Sequence, residues 1–150
     1  MYYINNSILK KIEKTIGNSP IESGGIIGIK KNIICAFYFD KKNYNHLSEY
    51  YPNYKTLNKV IKRWGKHGIM FAGIIHSHPN LYNKPSIIDY NYAKKILDSN
   101  YLLEKLIFPI VTFKEKVMEI SFYELQDYFI EIEVKVLKDE KNIFNIFNRC

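Results

Sequence analysis

Two of the four histidines in the chain, His76 and His78, stand one residue apart at the end of an apolar segment that begins at Ile69. Successive side chains of a strand point to opposite faces, so both imidazoles share a face if this segment is a strand. Pro79 follows at once and ends the strand, because proline cannot donate a ladder hydrogen bond. Two imidazoles on one face at a strand end can bind one metal ion together.

A carboxylate that could complete such a site comes from the next predicted helix, which begins at Ser86. Asp89 lies three residues later, so the two side chains share one face of the first turn. Two neutral imidazoles and a carboxylate form the three-ligand set of many catalytic zinc sites, in which water fills the fourth position. Ser-x-x-Asp before an apolar helix is also typical of a capping box, so a purely structural role for Ser86 and Asp89 stays open.

Hydrolysis at such a site needs a general base to deprotonate the metal-bound water. Glu22 is the first candidate, since it stands just before the glycine pair that opens the apolar segment 24–30. Glu49 and Glu104 are alternatives, but both lie in polar or helical contexts where a solvated glutamate is the ordinary case.

The elements that must position these side chains can be predicted from the hydrophobic pattern. A helix is predicted over 6–16, with Asn6 or Ser7 as its cap and Gly17 at its end. Two strands are predicted around a turn at Lys30 to Asn32. The remaining predictions are helices over 54–68 and 86–99, strands over 69–76, 105–113, 116–125 and 127–137, an irregular loop over 41–53, and a short helix or docked extension over 141–150.

Helices at intervals among strands predict a mixed α/β (α+β) domain of layered architecture. No internal repeat, low-complexity tract or linker interrupts the chain, so one domain over 1–150 is predicted. The apolar content of 47% is sufficient for a single core.

The composition also indicates where such a chain would work. No run approaches 18 apolar residues, and the first residues lack the pattern of a secretory signal, so we expect no membrane contact. Cys35 and Cys150 do not form a disulfide framework, which favours a reducing cytoplasm.

The net charge of +7 raises the question of nucleic acid. Arg63 and Arg149 are the only arginines among 22 basic residues, and the lysines are scattered. Arginine is the side chain preferred for bidentate phosphate and base contacts. Solvated lysines are therefore favoured over a dedicated nucleic-acid surface.

Three short stretches, Glu22-Ser23-Gly24-Gly25, His76-Ser77-His78-Pro79 and Ser86-Ile87-Ile88-Asp89, together resemble the JAMM (MPN+) motif of the JAB/Mov34 metalloprotease family. The resemblance implies the JAB/MPN fold, which is like that of cytidine deaminases, with a central mixed sheet flanked by helices. It implies a stand-alone domain of bacterial type that binds one Zn²⁺ per chain. By motif position, the zinc ligands would be His76, His78 and Asp89, the base Glu22, and the oxyanion donor Ser86.

The same resemblance implies an activity and its partners. Family members cleave peptide or isopeptide bonds, often after the C-terminal tail of a ubiquitin-like or sulfur-carrier-like protein. Similar small proteases are encoded beside E1- and E2-like enzymes, which implies a ubiquitin-like protein or its conjugates as substrate and those enzymes as partners. A RadC-like DNA-associated protein, which shares the HxHP-x6-SxxD spacing, and a cell-wall peptide hydrolase are the alternatives.

The tyrosines at 44, 50, 51 and 54 have two equally weighted interpretations. They line a groove for an extended substrate tail, because tyrosine offers contact area at low entropic cost. Alternatively, they cover the core beside Trp64.

Overall fold

The computed structural model describes residues 1–18, 22–41, 50–79 and 81–138. Within these ranges, eight strands form one mixed sheet with the order β7-β6-β5-β4-β2-β3-β1-β8. The strands are β1 (Tyr2–Asn5), β2 (Gly24–Lys30), β3 (Ile33–Phe39), β4 (Met70–Ser77), β5 (Leu106–Lys114), β6 (Val117–Leu125), β7 (Phe129–Ile132) and β8 (Val134–Leu137).

Three α-helices accompany the sheet in the described residues: α1 (Asn6–Thr15), α2 (Tyr54–Gly65) and α3 (Ile87–Ser99). All three were predicted from helical periodicity. The predicted cap of α1 is wrong, since the N-cap is Asn5, whose side chain makes no capping hydrogen bond. The helix begins there because β1, which the sequence pattern did not reveal, leads directly into it.

The helices cover both faces of the sheet. On β4, Ile74 and Ile75 point to opposite faces and belong to different core clusters. Ile75 packs in the cluster that contains Ile8 and Ile12 of α1. Ile74 packs in the other cluster, with buried residues of α2 and α3 that include Leu57, Val60, Ala93 and Leu97. The predicted layered α/β architecture is confirmed, and every side chain on the Ile74 face lies under α2 or α3.

The sheet curls until its two edge strands come close, which makes it nearly a closed barrel. β7 and β8 lie at opposite ends of the strand order, and only Glu133 separates them in the chain. A hydrogen bond of 2.8 Å from the Tyr2 hydroxyl to Glu124 Oε2 also joins β1 to β6 across the curl.

The prediction of one strand over 127–137 is therefore wrong. β7 pairs with β6 and β8 pairs with β1, so the chain passes from one sheet edge to the other at Glu133. The alternation of apolar and polar residues continues through this point, and alternation carries no record of which strand is the partner.

The predicted hairpin around Lys30 to Asn32 is present, with Lys31 in the left-handed region at φ 56°. Residues 42–49 of the predicted loop and the predicted element over 141–150 lie outside the described residues. In the described part of the chain, no helix has the length and apolarity needed to cross a bilayer.

Candidate metal centre

The two histidines lie at the C-terminal end of β4, on the face covered by α2 and α3. His76 lies opposite Gly24 of β2 and beside Ile110 of β5. His78 continues the ladder just beyond the strand, where its backbone N–H donates to the carbonyl of Val111 at 2.9 Å. The two Nε2 atoms are 2.8 Å apart. Two lone pairs at that distance would repel, so the pair must share a proton or a positive ion.

The backbone of the following loop determines which nitrogen of His78 faces the site. Nδ1 of His78 lies 2.6 Å from the carbonyl oxygen of Tyr82. A carbonyl oxygen only accepts, so Nδ1 carries the proton and Nε2 of the neutral ring presents a lone pair toward His76. A hydrogen bond from the remote ring nitrogen to a carbonyl is the usual way in which proteins orient a histidine ligand.

Asp89 reaches the same point from the first turn of α3. Its Oδ1 is 3.1 Å from Nε2 of His76, and its Oδ2 is 3.4 Å from Nε2 of His78. Burial by itself would raise the pKa of this carboxyl group, but hydrogen bonds with the two imidazoles outweigh burial and hold the pKa well below its usual range. The carboxylate form is therefore the one that the site favours.

Ser86 and Asp89 also form the capping box that the sequence left open. The backbone N–H of Asp89 donates to the Ser86 hydroxyl at 3.1 Å, and the backbone N–H of Ser86 donates to Asp89 Oδ2 at 2.6 Å. The Ser86 hydroxyl donates to the same oxygen at 2.8 Å. Because these bonds occupy Oδ2, Oδ1 remains directed at His76, and capping does not exclude a role in metal binding.

Glu22 enters from the segment before β2. Its Oε1 is 4.0 Å from Nε2 of His76, and its Oε2 accepts a hydrogen bond of 3.0 Å from the backbone N–H of Tyr50. Ser77 holds the adjoining backbone, since its N–H donates to the carbonyl of Ser23 at 2.9 Å and its hydroxyl accepts from the Ser23 N–H at 3.0 Å. Sequence reasoning missed this function of Ser77, the residue between the two histidines.

Burial raises the pKa of Glu22, although the neighbouring histidines and the Tyr50 N–H act in the opposite direction. A carboxylate with a raised pKa accepts a proton more readily near neutral pH. Of the alternative glutamates, Glu104 is exposed and does not line the site cavity. Glu49 lies outside the described residues.

The donor spacing fits one metal ion. Ligand atoms of Glu22, His76 and His78 all lie within 4.8 Å of one another, and Asp89 approaches both imidazoles more closely than Glu22 does. Ligand atoms around a tetrahedral zinc with bonds of about 2.0–2.2 Å stand roughly 3.3 Å apart. Two imidazoles and a carboxylate could thus hold a metal ion here with small side-chain adjustments.

The site opens into a cavity of about 420 Å³ with a tyrosine-rich wall. Tyr50, Tyr51 and Tyr54 all line it, as one interpretation of the sequence predicted. Tyr50 also packs against the core cluster that includes Trp64, so the second interpretation holds for that residue too. Tyr44 lies outside the described residues. The wall also contains Ile74, Ile88, Tyr92 and Phe108.

Sequence reasoning missed Tyr92 and Phe108. Tyr92 stands three residues after Asp89 on α3, so helical spacing was the signal that could have found it. No local pattern marks Phe108, whose ring centroid is 5.0 Å from that of His76.

Comparisons of the sequence with protein-family models and with curated proteins find no match. Among solved structures, a protein from Desulfitobacterium hafniense is 15% identical with a TM-score of 0.74, over 95% of this chain and 97% of that chain. A JAB1/MPN domain protein from Archaeoglobus fulgidus is 17% identical with a TM-score of 0.49, over 91% and 97%. The structure described as "JAMM: a metalloprotease-like zinc site in the proteasome and signalosome" is 16% identical with a TM-score of 0.51, over 92% and 99%. The chain has the JAB/MPN fold.

This JAB/MPN domain therefore carries its candidate ligands on two elements, the end of β4 and the start of α3. The predicted JAB/MPN fold is confirmed. The fold is metalloprotease-like, and it contains a group of side chains that could bind a metal ion.

Proposed function

We propose that this chain is a zinc-dependent peptidase or isopeptidase that cuts after the C-terminal tail of a ubiquitin-like or sulfur-carrier-like protein. One observation carries the proposal. Two imidazole nitrogens and the Asp89 carboxylate converge within 3.4 Å, and the Glu22 carboxylate faces the same cavity. The shared fold with a protein described as having a metalloprotease-like zinc site supports it.

The zinc ligands in this proposal are His76, His78 and Asp89. When bound, zinc polarises a substrate carbonyl and lowers the pKa of its water toward neutrality. Zinc suits a set of two imidazoles and one carboxylate with an open fourth position. The carbonyl of Tyr82 and the cap at Ser86 hold His78 and Asp89 in their orientations.

Glu22 is the general base. Its Oε2 is held by the Tyr50 N–H, which leaves Oε1 directed toward His76 and the cavity. Oε1 takes the proton of the attacking water and then delivers it to the nitrogen of the leaving amine. The raised pKa of Glu22 suits both transfers, since the group must gain and lose a proton near neutral pH.

Ser86 stabilises the oxyanion after a rotation of its hydroxyl. In the structure this hydroxyl donates to Asp89 Oδ2. A turn about the side-chain bond redirects the proton to the substrate oxygen, where a positioned donor strengthens as charge develops. Asp89 stays in place during that turn because the Ser86 backbone N–H still donates to the same Oδ2 at 2.6 Å.

The substrate of this proposal is an extended tail that lies along the tyrosine wall of the cavity. A glycine-type tail presents its carbonyls without side chains that would clash with Tyr50, Tyr54 or Tyr92. The net charge of +7 attracts an acidic globular partner, an effect that fades with salt. E1- and E2-like enzymes of the same cytoplasm would supply the conjugates.

The decisive experiment incubates the zinc-loaded protein with ubiquitin-like fusion proteins from the same genome and locates the cut by intact-mass spectrometry. Cleavage directly after the tail, lost on chelation and in His78→Ala, is the expected result. A lack of metal-dependent cleavage, combined with tight and salt-sensitive DNA binding, would instead support the RadC-like alternative.

A further inference from the structure

Asp40, at the end of β3, is a buried acid that the proposed chemistry does not use. It is only 1% exposed. Its Oδ2 accepts hydrogen bonds from the backbone N–H of Asn53 at 2.7 Å and from the Tyr50 hydroxyl at 3.1 Å. Among the described residues, Oδ1 has no hydrogen-bond partner. A buried carboxyl group is costly without donors, so the segment 50–53 and Asp40 stabilise each other.

Tyr50 connects Asp40 to the proposed base. The hydroxyl at one end of Tyr50 donates to Asp40, while the backbone N–H at the other end donates to Glu22 Oε2 at 3.0 Å. The ring between them lies against Gly24, where a Cβ atom would come within 2.8 Å of two ring carbons. Burial and the charge of Asp40 raise the pKa of the Tyr50 phenol, so the hydroxyl stays protonated and remains a donor.

The backbone of Asp40 attaches to the same place. Its N–H donates to the carbonyl of Gly24 at 3.0 Å, two residues after Glu22. Asp40 thus contacts both chain segments that determine where Glu22 lies: the start of β2 through its backbone, and the segment 50–53 through its side chain. That segment has no regular secondary structure to hold it, so its position depends on such contacts.

We propose that Asp40 is a positioning residue for Glu22 and acts through Tyr50. Glu22 Oε2 needs the Tyr50 N–H to direct Oε1 toward His76, and that N–H stays in place because Asp40 anchors the Tyr50 hydroxyl and the Asn53 N–H. The inference rests on the proposed function only for the role of Glu22 as base. The positioning itself is a property of the folded chain and can be measured without a substrate.

The test measures hydrogen exchange of the Tyr50 amide by NMR in the zinc-loaded protein. Asp40→Asn keeps the side-chain size but replaces an acceptor oxygen with a donor group, and Tyr50→Phe removes the hydroxyl but keeps the ring against Gly24. Both variants should speed exchange of the Tyr50 amide by about tenfold or more, since a hydrogen bond to a charged group is lost or loosened. Zinc content should not change.

Tyr2→Phe is the matched control. It removes a tyrosine hydroxyl that donates to a carboxylate, that of Glu124, at 2.8 Å, and neither residue lines the site cavity. It should leave exchange of the Tyr50 amide as in wild type. Wild-type exchange of this amide in both Asp40→Asn and Tyr50→Phe would overturn the inference.

Activity gives a second readout that separates positioning from general stability. On a fusion that wild type cleaves, Asp40→Asn should lower kcat about 10- to 100-fold at full zinc occupancy. In a Glu22→Gln background the same substitution should cause no further loss, because both changes act on one group. A full additional loss in that background contradicts the inference. If no substrate is cleaved by wild type, the proposed function fails and the amide exchange still decides the positioning role.

Discussion

Oδ1 of Asp89 lies 3.1 Å from Nε2 of His76, and this contact joins the first turn of α3 to the end of β4. The same carboxylate closes the capping box through its other oxygen. One side chain therefore connects the helix start with the candidate ligands of the strand. The predictions below separate its structural contribution from the chemistry proposed for the site.

Substitution of a histidine should remove the metal. We expect one zinc per chain in wild type and most of it lost in His76→Ala, because His76 is within 3.1 Å of both other proposed ligands. Elemental analysis of purified protein measures this. His67→Ala, at an exposed histidine outside the cavity lining, is the control and should keep its zinc. Full zinc occupancy in His76→Ala would contradict the ligand assignment.

Glu22→Gln should abolish turnover while leaving zinc content and fold intact. The amide keeps the size of the side chain and can still accept the Tyr50 N–H, but it cannot take the proton of the water. Loss of a general base typically lowers the rate by about 10²- to 10⁴-fold. The assay is cleavage of the fusion identified for wild type, with Glu104→Gln as the exposed control. Wild-type turnover in Glu22→Gln would exclude Glu22 as the base.

Two substitutions at Ser86 separate capping from catalysis. Ser86→Ala should lower the free energy of unfolding by about 0.5–2 kcal/mol, whereas Ser86→Gly should cost only a few tenths, since glycine is an acceptable N-cap. Both remove the hydroxyl and should lower kcat by about 10²- to 10³-fold at unchanged zinc content. Urea unfolding and the cleavage assay give the two quantities. If Ser86→Gly turns over like wild type, Ser86 is a cap and nothing more.

Removal of the metal should weaken the protein without unfolding it. Two clusters of buried apolar side chains on both faces of the sheet form without any contribution from the ligands. Catalytic zinc sites of this type lie on a preformed core, unlike structural sites that fold only with metal. Circular dichroism of the chelated protein should retain the wild-type spectrum at room temperature, with a lower Tm. Complete unfolding on chelation would disprove this expectation.

Glu124 should make the stability depend on pH in the acid range. Burial would raise its pKa, but hydrogen bonds from Tyr2 and Lys105 outweigh burial and lower it. The unfolded chain then binds a proton more readily than the folded one. Glu124 therefore stabilises the protein above its unfolded pKa of about 4.3, and this contribution is lost as the pH falls toward the lower, folded pKa.

Urea unfolding of the metal-free protein between neutral and acid pH measures this contribution. The difference in unfolding free energy between wild type and Glu124→Gln should shrink as the pH falls below about 4.3. Glu119→Gln, on the same strand and exposed, should show a smaller dependence. A wild-type advantage over Glu124→Gln that does not change with pH would refute the prediction.

Much of this site is determined by local sequence. The period of two along β4 places both imidazoles on one face, and the Ser-x-x-Asp spacing places the Ser86 and Asp89 side chains on one turn of a helix. Steric preference, helical periodicity and capping act over a few residues. For that reason α2, α3 and the β2–β3 hairpin were also predicted close to where the structure has them.

Other features were decided only by tertiary structure. Glu22 reaches His76 because β2 pairs with β4, which puts Gly24 opposite His76, and no local period encodes which strands pair. The break at Glu133 has the same origin, since it appears only when β7 and β8 join opposite edges. The bonds of Asp40 to Tyr50 and Asn53 arise when the end of β3 meets the segment before α2. Such contacts depend on burial and hydrogen-bond satisfaction between segments distant in the chain, which only the folded molecule brings together.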